Sequence, residues 1–317
     1  MLTQEACSHF LLHCQYARKL SPHTLRAYKK DLDTFVELVE EKNVLKLNKQ
    51  HFKGYLFDLH QTGLSIRSIK RRIACLKSMF RWLEQEEVID ANPMLKVDTS
   101  LKVPTLLPRN IAKKDLRKML NTARSELGLV KGSCYDLSSL SALVSSAKDL
   151  NKVTCILSLE LLFATGVRVS ELVNIELNHI LIKEQKVKVL GKGQRERFVF
   201  LPNAEVVGLL NTYVALRDRL NIEHLYLLVN SRGKQASPHF IRKLIRQTAE
   251  KANIERITPH MYRHSSACQL LESGVDIRYV QKLLGHQSIL TTQLYTHVND
   301  KELQKKITKA NIRSFIT

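Results

Sequence analysis

Apolar residues recur at three- and four-residue steps over much of the chain, which is the spacing of one buried face of an α-helix. Ser21 followed by Pro22 is typical of a helix N-cap and first helical position, and a further helix is expected to begin near Lys113. The run VTCILSLELLFAT predicts a strongly apolar helix that ends at Gly166. The clearest single stripe comprises Ile66, Ile69, Ile73, Leu76, Phe80 and Leu83. These patterns indicate a mainly helical fold.

Three short runs in the second half of the chain have the character of β-strands. They are NHILIK (178–183), KVKVL (186–190) and ERFVF (196–200), and the glycine-rich segment GKGQR joins the last two as a turn. We expect helices from there to the C-terminus, the next of them beginning at Ser237-Pro238. The predicted fold class is therefore mainly α with a small antiparallel β-sheet.

Length and one proline-containing segment indicate two domains. At 317 residues the chain exceeds the size at which a single hydrophobic core usually stops growing. The segment LKVPTLLPRN (101–110) has two prolines and no periodicity, which is typical of an extended linker. We therefore expect one domain at 1–100 and a second at 111–317. Within the second, residues 123–150 predict no clear element.

The chain is strongly basic, with 50 Lys and Arg against 30 Asp and Glu and a formal net charge of +20. Such a charge attracts polyanions, although a protein whose surface is merely basic would have the same composition. One predicted helix face is more informative because its charges are all of one sign, whereas ordinary solvated faces mix both signs. It carries Arg67, Lys70, Arg71, Lys77 and Arg81. This face favours a surface that binds a row of phosphates.

Several classes of protein are disfavoured by the sequence. It has no run of 18 apolar residues and no signal-peptide pattern at its N-terminus, so we expect a cytoplasmic protein without a membrane partner. The six cysteines form no CxxC pair, which argues against zinc or a disulfide framework and favours reduced, mostly buried thiols. The sequence also lacks a P-loop and a cluster of metal-site carboxylates, so we expect no cofactor and no metal.

Four short segments hold side chains suited to chemistry on a phosphodiester: ATGVRVSEL (164–172), TPHMYRH (258–264), LLGHQS (283–288) and LYTHV (294–298). Such chemistry needs donors for the charge on the phosphoryl oxygens, groups that transfer protons, and an oxygen nucleophile. The segments supply Arg168, His260, Arg263, His286 and Tyr295. Taken singly, each residue has an ordinary structural explanation, and on composition alone Tyr262 or Tyr279 could equally be the nucleophile.

Taken together and in this order, the segments resemble the tyrosine recombinases of the phage-integrase family, above all Xer-like recombinases and mobile-element integrases. SPHTLRAYKKDLDTF, GLSIRSIKRRIACLKSMFRWL and IDANP resemble that family's N-terminal core-binding domain. The four segments above and GKGQRERFVFLP resemble its catalytic domain. Residues 123–150 depart from the family, because they are longer than its usual connection between the first two catalytic-domain helices.

The resemblance assigns the phosphate chemistry to particular residues. It implies that Tyr295 is the nucleophile, selected by the nine-residue interval from His286 and by the LYTHV context. It also implies that Arg168 and Arg263 contact the scissile phosphate. A phosphotyrosyl ester retains the energy of the cleaved bond, so rejoining would require neither ATP nor a metal.

Proton transfer is assigned in the same way. The resemblance makes Lys192, between Gly191 and Gly193, the general acid that protonates the departing 5′ oxygen. It gives His260 and His286 roles in proton transfer and positioning. His264, which neighbours the histidine–arginine pair, is interpreted as structural.

The implied function is site-specific DNA recombination, with a 3′-phosphotyrosyl intermediate and a four-way junction, in integration, excision or resolution. The implied architecture is a two-domain DNA clamp, with a helical, SAM-like core-binding domain at 1–100 and a catalytic domain at 111–317. The expected partners are double-stranded recombination sites and a homo-tetramer of the chain, or a tetramer that includes a related recombinase. The apolar spacing in 301–317 indicates a docking element, either onto the chain's own domain or onto a neighbouring subunit, and the resemblance favours a tail for subunit contact.

Three other functions are compatible with parts of this pattern. A type IB topoisomerase shares the chemistry but rejoins the same strand. A regulator that only binds DNA would explain the charge but not the set of catalytic side chains. A catalytically silent partner subunit would bind DNA and form no covalent adduct with it.

Overall fold

The computed structural model describes residues 1–101, 109–129, 135–191, 195–201 and 203–285 of the chain. The protein divides into two compact units, Met1–Leu106 and Leu107–Thr317. Each unit buries a hydrophobic cluster of its own. Helices dominate both units, as the apolar spacing predicts.

The N-terminal unit is built from four helices: α1 (Thr3–Tyr16), α2 (Pro22–Leu38), α3 (Lys49–Gln61) and α4 (Ile66–Gln85). The predicted N-cap of α2 is confirmed, because the Ser21 hydroxyl accepts a hydrogen bond from the Thr24 N–H at 3.3 Å. Ser65 caps α4 in the same way. Side-chain oxygens at these positions satisfy backbone donors that the first helical turn leaves without partners.

Aromatic rings from three of these helices form the centre of the first core. Phe35 of α2 and Phe52 of α3 stack with their ring centroids 5.8 Å apart, and Phe80 of α4 meets Phe52 edge-on at 4.9 Å. The apolar stripe predicted for α4 is buried from Ile69 onward. The exception is Ile66, the first residue of α4, which is 38% exposed.

The second unit contains eight described helices: α5 (Lys113–Leu127), α6 (Leu137–Leu143), α7 (Ala147–Thr165), α8 (Val169–Leu172), α9 (Ala204–Arg219), α10 (Pro238–Lys251), α11 (Pro259–Glu272) and α12 (Ile277–Leu284). Helix α7 lies at the centre and packs against α5, α9, α10 and α11. It ends at Gly166, as predicted, and Gly166 adopts a left-handed conformation with φ 62°. This C-cap places the next residues, including Arg168, at the end of the most buried helix.

The predicted strands form a three-stranded antiparallel sheet in the order β1 (Ile180–Leu181), β2 (Lys186–Leu190), β3 (Glu196–Phe200). Val187 pairs with Val199, and both are buried on the face toward the core. Phe198 and Phe200 point to the opposite face and are exposed. The backbone N–H of Gly191 donates to the Arg195 carbonyl at 2.8 Å, which closes the β2–β3 hairpin.

Two regions differ from the sequence-based expectation. The next helix after the sheet was expected at Ser237-Pro238, but α9 precedes it and is capped by the Asn203 side chain. In the stretch without a predicted element, α6 begins after Asp136, which accepts hydrogen bonds from the Ser139 N–H and from two serine hydroxyls. The serine-rich sequence is thus the capped start of a short helix.

The thiols of the described cysteines are mostly buried, as expected from the sequence. Cys7, Cys14, Cys75 and Cys155 are buried, and Cys268 is partly buried. Across the described residues, every helix is too short or too polar to cross a membrane.

Candidate active site

Arg168 is held by the acidic residue three positions later. It is the N-cap of α8, and its backbone N–H donates to Glu171 Oε2 at 2.8 Å. Its Nη1 donates to Glu171 Oε1 at 2.7 Å. The Arg168 side chain nevertheless remains 35% exposed, so the guanidinium is both oriented and accessible.

Glu171 is the buried anchor of the site. Its side chain is 3% exposed and also receives two hydrogen bonds from Arg197 of β3, at 3.0 and 2.8 Å. Burial raises the pKa of Glu171, but the hydrogen bonds from Arg197 and Arg168 outweigh burial and bring the pKa below its ordinary value. The carboxylate is therefore charged at neutral pH and fully engaged by two arginines.

Helix α11 presents His260 and Arg263 from the same face, since they are three residues apart. It begins at Pro259, after the cap Thr258. Arg263 is buried; its Nη1 donates to the Gly166 carbonyl at 2.8 Å and its Nη2 donates to the Leu284 carbonyl at 2.7 Å. This guanidinium therefore joins the end of α7 to the end of α12.

His260 lies among positive charges. Desolvation lowers its pKa from the ordinary value, and the charges of Arg263, Arg242 and Arg168 lower it further. The side chain still reaches solvent. His260 is therefore neutral near pH 7 and has a ring nitrogen that can accept or relay a proton.

The structure brings three of the six predicted catalytic residues together: Arg168, His260 and Arg263. Lys192, His286 and Tyr295 lie outside the described residues.

The residues directly before Lys192 and His286 are described. Gly191 immediately precedes Lys192, and a Cβ built on it would lie 3.7 Å from Glu171 Oε1. Gly285 precedes His286 and ends α12 in a left-handed conformation with φ 65°.

The alternative tyrosines have contrasting environments. Tyr262 is 2% exposed in the core of α11, and burial raises its pKa far above the ordinary value. Such a hydroxyl can neither reach DNA nor ionise readily. Tyr279 of α12 is 71% exposed. His264 is buried, which agrees with its interpretation as a structural residue.

Sequence reasoning missed the contributions of Arg197, Glu171 and α10. Glu171 stands three residues after Arg168, which is the spacing of a capping box, so its role had a sequence signal. Arg197 had none, because its partners are distant in the chain. The exposed face of α10 carries His239, Arg242, Lys243 and Arg246. Helical spacing after the predicted cap at Ser237 could have identified this basic face.

The basic face of α4 is only partly available. Its five predicted DNA-binding residues are exposed, but Arg71 pairs with the buried Asp31 and Lys77 hydrogen-bonds the Thr99 hydroxyl. Burial raises the pKa of Asp31, and Arg71 opposes that shift. Arg71 thus has a structural role that the sequence did not predict, while Arg67, Lys70 and Arg81 form the more accessible part of the face.

Comparison with known proteins places this arrangement in a family. The family model described as "Phage integrase family" matches residues 134–302, and the model described as "Phage integrase, N-terminal SAM-like domain" matches residues 8–87. A tyrosine recombinase XerD from Staphylococcus saprophyticus is 35% identical over 303 residues, which cover 93% of this chain and 95% of that protein. The chain belongs to the phage integrase family. It is a tyrosine recombinase, an enzyme of site-specific DNA recombination.

Solved structures of tyrosine recombinases share the fold. XerH site-specific recombinase bound to palindromic difH substrate, in a post-cleavage complex, matches with a TM-score of 0.72 at 19% identity, over 95% of this chain and 84% of that chain. A lambda integrase tetramer bound to a Holliday junction matches with a TM-score of 0.67 at 16% identity. The match covers 91% of this chain and 78% of that chain. These matches confirm the predicted mainly helical fold with its small antiparallel sheet.

Proposed function

We propose that this recombinase cleaves DNA by attack of Tyr295 on the scissile phosphate and rejoins the strand to a partner duplex. The observation that carries the proposal is the convergence of Arg168, His260 and Arg263 around the end of α7. Two helices distant in sequence, α8 and α11, bring two guanidinium groups and a neutral imidazole to one place. That is the arrangement needed to stabilise a phosphoryl group while a proton moves.

The charge of the site suits the reaction. Arg168, Arg197 and Arg263 contribute three positive charges and Glu171 one negative charge, which leaves a net charge of +2. In the proposed transition state, negative charge accumulates on the non-bridging phosphoryl oxygens. Arg168 would bind these oxygens directly, since its guanidinium is oriented and partly exposed. Fixed cations stabilise such charge without reorganising during the reaction.

Proton transfer follows from the remaining residues. In our proposal Lys192 protonates the leaving 5′ oxygen. This assignment is supported by the β2–β3 hairpin, whose Gly191 lies against Glu171 and so at the edge of the site. In this proposal neutral His260 takes up the proton of the Tyr295 hydroxyl, and His286 helps to orient that hydroxyl. A 5′ hydroxyl from the partner duplex then attacks the phosphorus of the 3′-phosphotyrosyl ester and gives its proton to Lys192. The departing Tyr295 oxygen recovers a proton from His260.

The basic faces of the two units supply DNA affinity in this proposal. Residues 1–100 act as the core-binding domain through α4, and 111–317 act as the catalytic domain, with α10 beside His260. The exposed charges on α10 are of one sign over its first three turns. DNA phosphates are the partners that such faces fit.

We further propose that four protomers assemble on two DNA sites, through a four-way junction. The lambda integrase tetramer on a Holliday junction, which shares the fold, supports this assembly. The tail 301–317 is the proposed subunit contact and lies outside the described residues. The reaction on cellular DNA would take place in the cytoplasm.

Tail deletion tests the assembly. Removing residues 301–317 is expected to leave single-site DNA binding intact and to abolish pairing of two sites in gel-shift assays. Wild-type pairing by the truncated protein would show that the tail is not the subunit contact. Mixing with a related recombinase tests whether the active tetramer contains one kind of subunit or two.

A supercoiled plasmid with two recombination sites tests the reaction as a whole. The proposal predicts deletion or inversion products and four-way junction intermediates, without added ATP or divalent metal. A type IB topoisomerase activity would instead relax the plasmid and leave the order of the sites unchanged. Relaxation without recombination, on a plasmid that carries authentic sites, would overturn the proposed exchange between duplexes.

A further inference from the structure

Arg197 of β3 donates three hydrogen bonds from its guanidinium near the site. Its Nη1 and Nη2 donate to Glu171 Oε1 and Oε2 at 3.0 and 2.8 Å, in a two-pronged pairing. Its Nε donates to the Leu283 carbonyl at 2.7 Å. The side chain is 12% exposed, so these bonds are largely shielded from water.

These bonds connect three segments that lead to catalytic positions. Through Glu171, Arg197 reaches Arg168 on α8. Through its own strand, it is part of the hairpin that contains Lys192. Through Leu283, it holds the end of α12, three residues before His286. Arg197 is therefore a direct link between the Glu171 segment, the hairpin and the end of α12.

Two glycines leave space for the Arg197 side chain. A Cβ built on Gly285 would lie 3.2 Å from Arg197 Cδ and 3.3 Å from both Nε and Nη1. A Cβ built on Gly191 would lie 3.5 Å from Nη1. Both glycines stand directly before a predicted catalytic residue, Lys192 or His286. The backbone immediately before each of these two residues is therefore packed against this guanidinium.

Glu171 depends on Arg197 for half of its hydrogen bonds. The carboxylate accepts four: two from Arg168 and two from Arg197. Without Arg197 the buried Glu171 carboxylate would lose its bidentate partner. Removal of one member of a buried ion pair leaves the charge of the other member poorly compensated. The pKa of Glu171 would then rise, and its protonated form would hold Arg168 less firmly.

We propose that Arg197 is a positioning residue for strand cleavage, which holds Glu171 against Arg168 while it fixes the end of α12 relative to the Lys192 hairpin. The inference rests on the proposed catalytic roles of Arg168, Lys192 and His286. Arg197 itself does not touch the reacting phosphate in this account. It keeps the three segments in one geometry, and misplacement of about 1 Å can cost on the order of 10² in rate.

Arg197→Lys is the informative substitution. Lysine keeps the positive charge but cannot form the fork and the Leu283 bond at once. We expect near wild-type DNA affinity and a cleavage rate about 10²-fold lower in single-turnover assays on a suicide substrate. A purely structural role predicts instead that cleavage is normal at temperatures where the variant is folded, and that result would overturn the inference.

Arg217→Lys is the matched control. Arg217 of α9 is fully buried and donates to the His224 carbonyl at 2.6 Å, with no bond to Glu171 or α12. Its replacement should lower the melting temperature at least as much as Arg197→Lys and leave the cleavage rate of the folded protein within about twofold. An equal loss of cleavage in both variants would mean that the effect reflects stability alone.

Two further measurements separate this inference from the proposed function. In a Glu171→Gln background, Arg197→Lys should cost far less than it does alone, because both act through the same carboxylate. A ¹³C NMR titration of Glu171 should show a higher pKa in Arg197→Lys, whether or not the protein cleaves DNA. Full additivity, or an unchanged Glu171 pKa, would refute the role of Arg197. Absence of a covalent adduct in the wild type would instead count against the proposed function.

Discussion

Arg263 donates a hydrogen bond from Nη1 to the carbonyl of Gly166 at 2.8 Å. Gly166 is two residues before Arg168, so one proposed phosphate ligand supports the backbone that carries the other. The same guanidinium holds the Leu284 carbonyl, two residues before His286. Arg263 therefore has a structural role in addition to its proposed contact with the phosphate, and its replacement should affect both stability and rate.

Replacement of either proposed phosphate ligand by lysine should cripple cleavage. Arg168→Lys and Arg263→Lys keep the charge but lose the planar donor geometry. We expect each to lower the single-turnover cleavage rate by about 10²–10³ with DNA affinity largely retained. Arg263→Lys should also lower the melting temperature, because one backbone carbonyl loses its partner. The exposed Arg232, replaced by lysine, is the control that should cleave normally. Near-normal cleavage by either test variant would contradict direct phosphate contact.

Gly166→Ala should destabilise the catalytic unit. The position has φ 62°, and an added Cβ would lie 2.8 Å from Leu284 Cδ2. The left-handed conformation alone costs about 1–2 kcal/mol for a residue with a Cβ, and the contact adds to that cost. Thermal denaturation checks this prediction, with Gly208→Ala as the control. Gly208 lies inside α9 with open space around it, so alanine there should be neutral or stabilising. Equal melting temperatures for the two variants would refute the predicted strain.

The cleavage rate should depend on pH in a way set by His260. Its pKa is below the ordinary value of 6.5, so the neutral imidazole is already dominant at pH 6.5 and is lost only in more acidic solution. We therefore expect the cleavage rate to fall as the pH is lowered, with the midpoint of this acid limb below pH 6.5. Arg242→Gln removes one of the positive charges that lower this pKa, so the acid limb should move to higher pH. The measurement is the single-turnover rate at saturating DNA, and an acid limb that stays in place would rule out His260 as its source.

DNA binding should be sensitive to salt, and two neighbouring residues of α4 should respond differently. If about 6–10 phosphates are contacted, affinity should fall by roughly 10³–10⁵ between 50 and 200 mM salt. Lys70→Ala should reduce the slope of log affinity against log salt concentration by about one and leave the melting temperature nearly unchanged. Arg71→Ala should lower the melting temperature of the N-terminal unit, because Asp31 is fully buried beneath it. A flat salt response would contradict the proposed phosphate contacts.

The success of sequence reasoning differed between local and distant features. Caps such as Ser21 and Thr258 and the stop at Gly166 were predictable because each acts on its own helix turn. Helix α9 was missed because its buried face includes the polar Thr212 and Arg217, while Val207 and Val214 add apolar side chains outside the fully buried set. Both features weaken the contrast between the two faces.

The site showed the same division. The catalytic set came from resemblance in the order and spacing of short motifs, and periodicity alone left the nucleophile undecided. Arg197 could not be identified from its strand, because its partners Glu171 and Leu283 lie 26 and 86 positions away. Arg71 was assigned to DNA binding because nothing in its helix face reveals the buried Asp31, 40 positions away.

The identity of the nucleophile is the central claim, and trapping the covalent intermediate tests it most directly. A nicked suicide substrate should yield a covalent protein–DNA adduct with the wild type on denaturing gels. Tyr295→Phe should bind the site with near wild-type affinity and yield no adduct, because its ring has no oxygen to attack the phosphate. Tyr279→Phe is the matched control, since Tyr279 is the exposed alternative, and it should form the adduct at the wild-type rate. An adduct that persists in Tyr295→Phe, or disappears in Tyr279→Phe, would contradict the account.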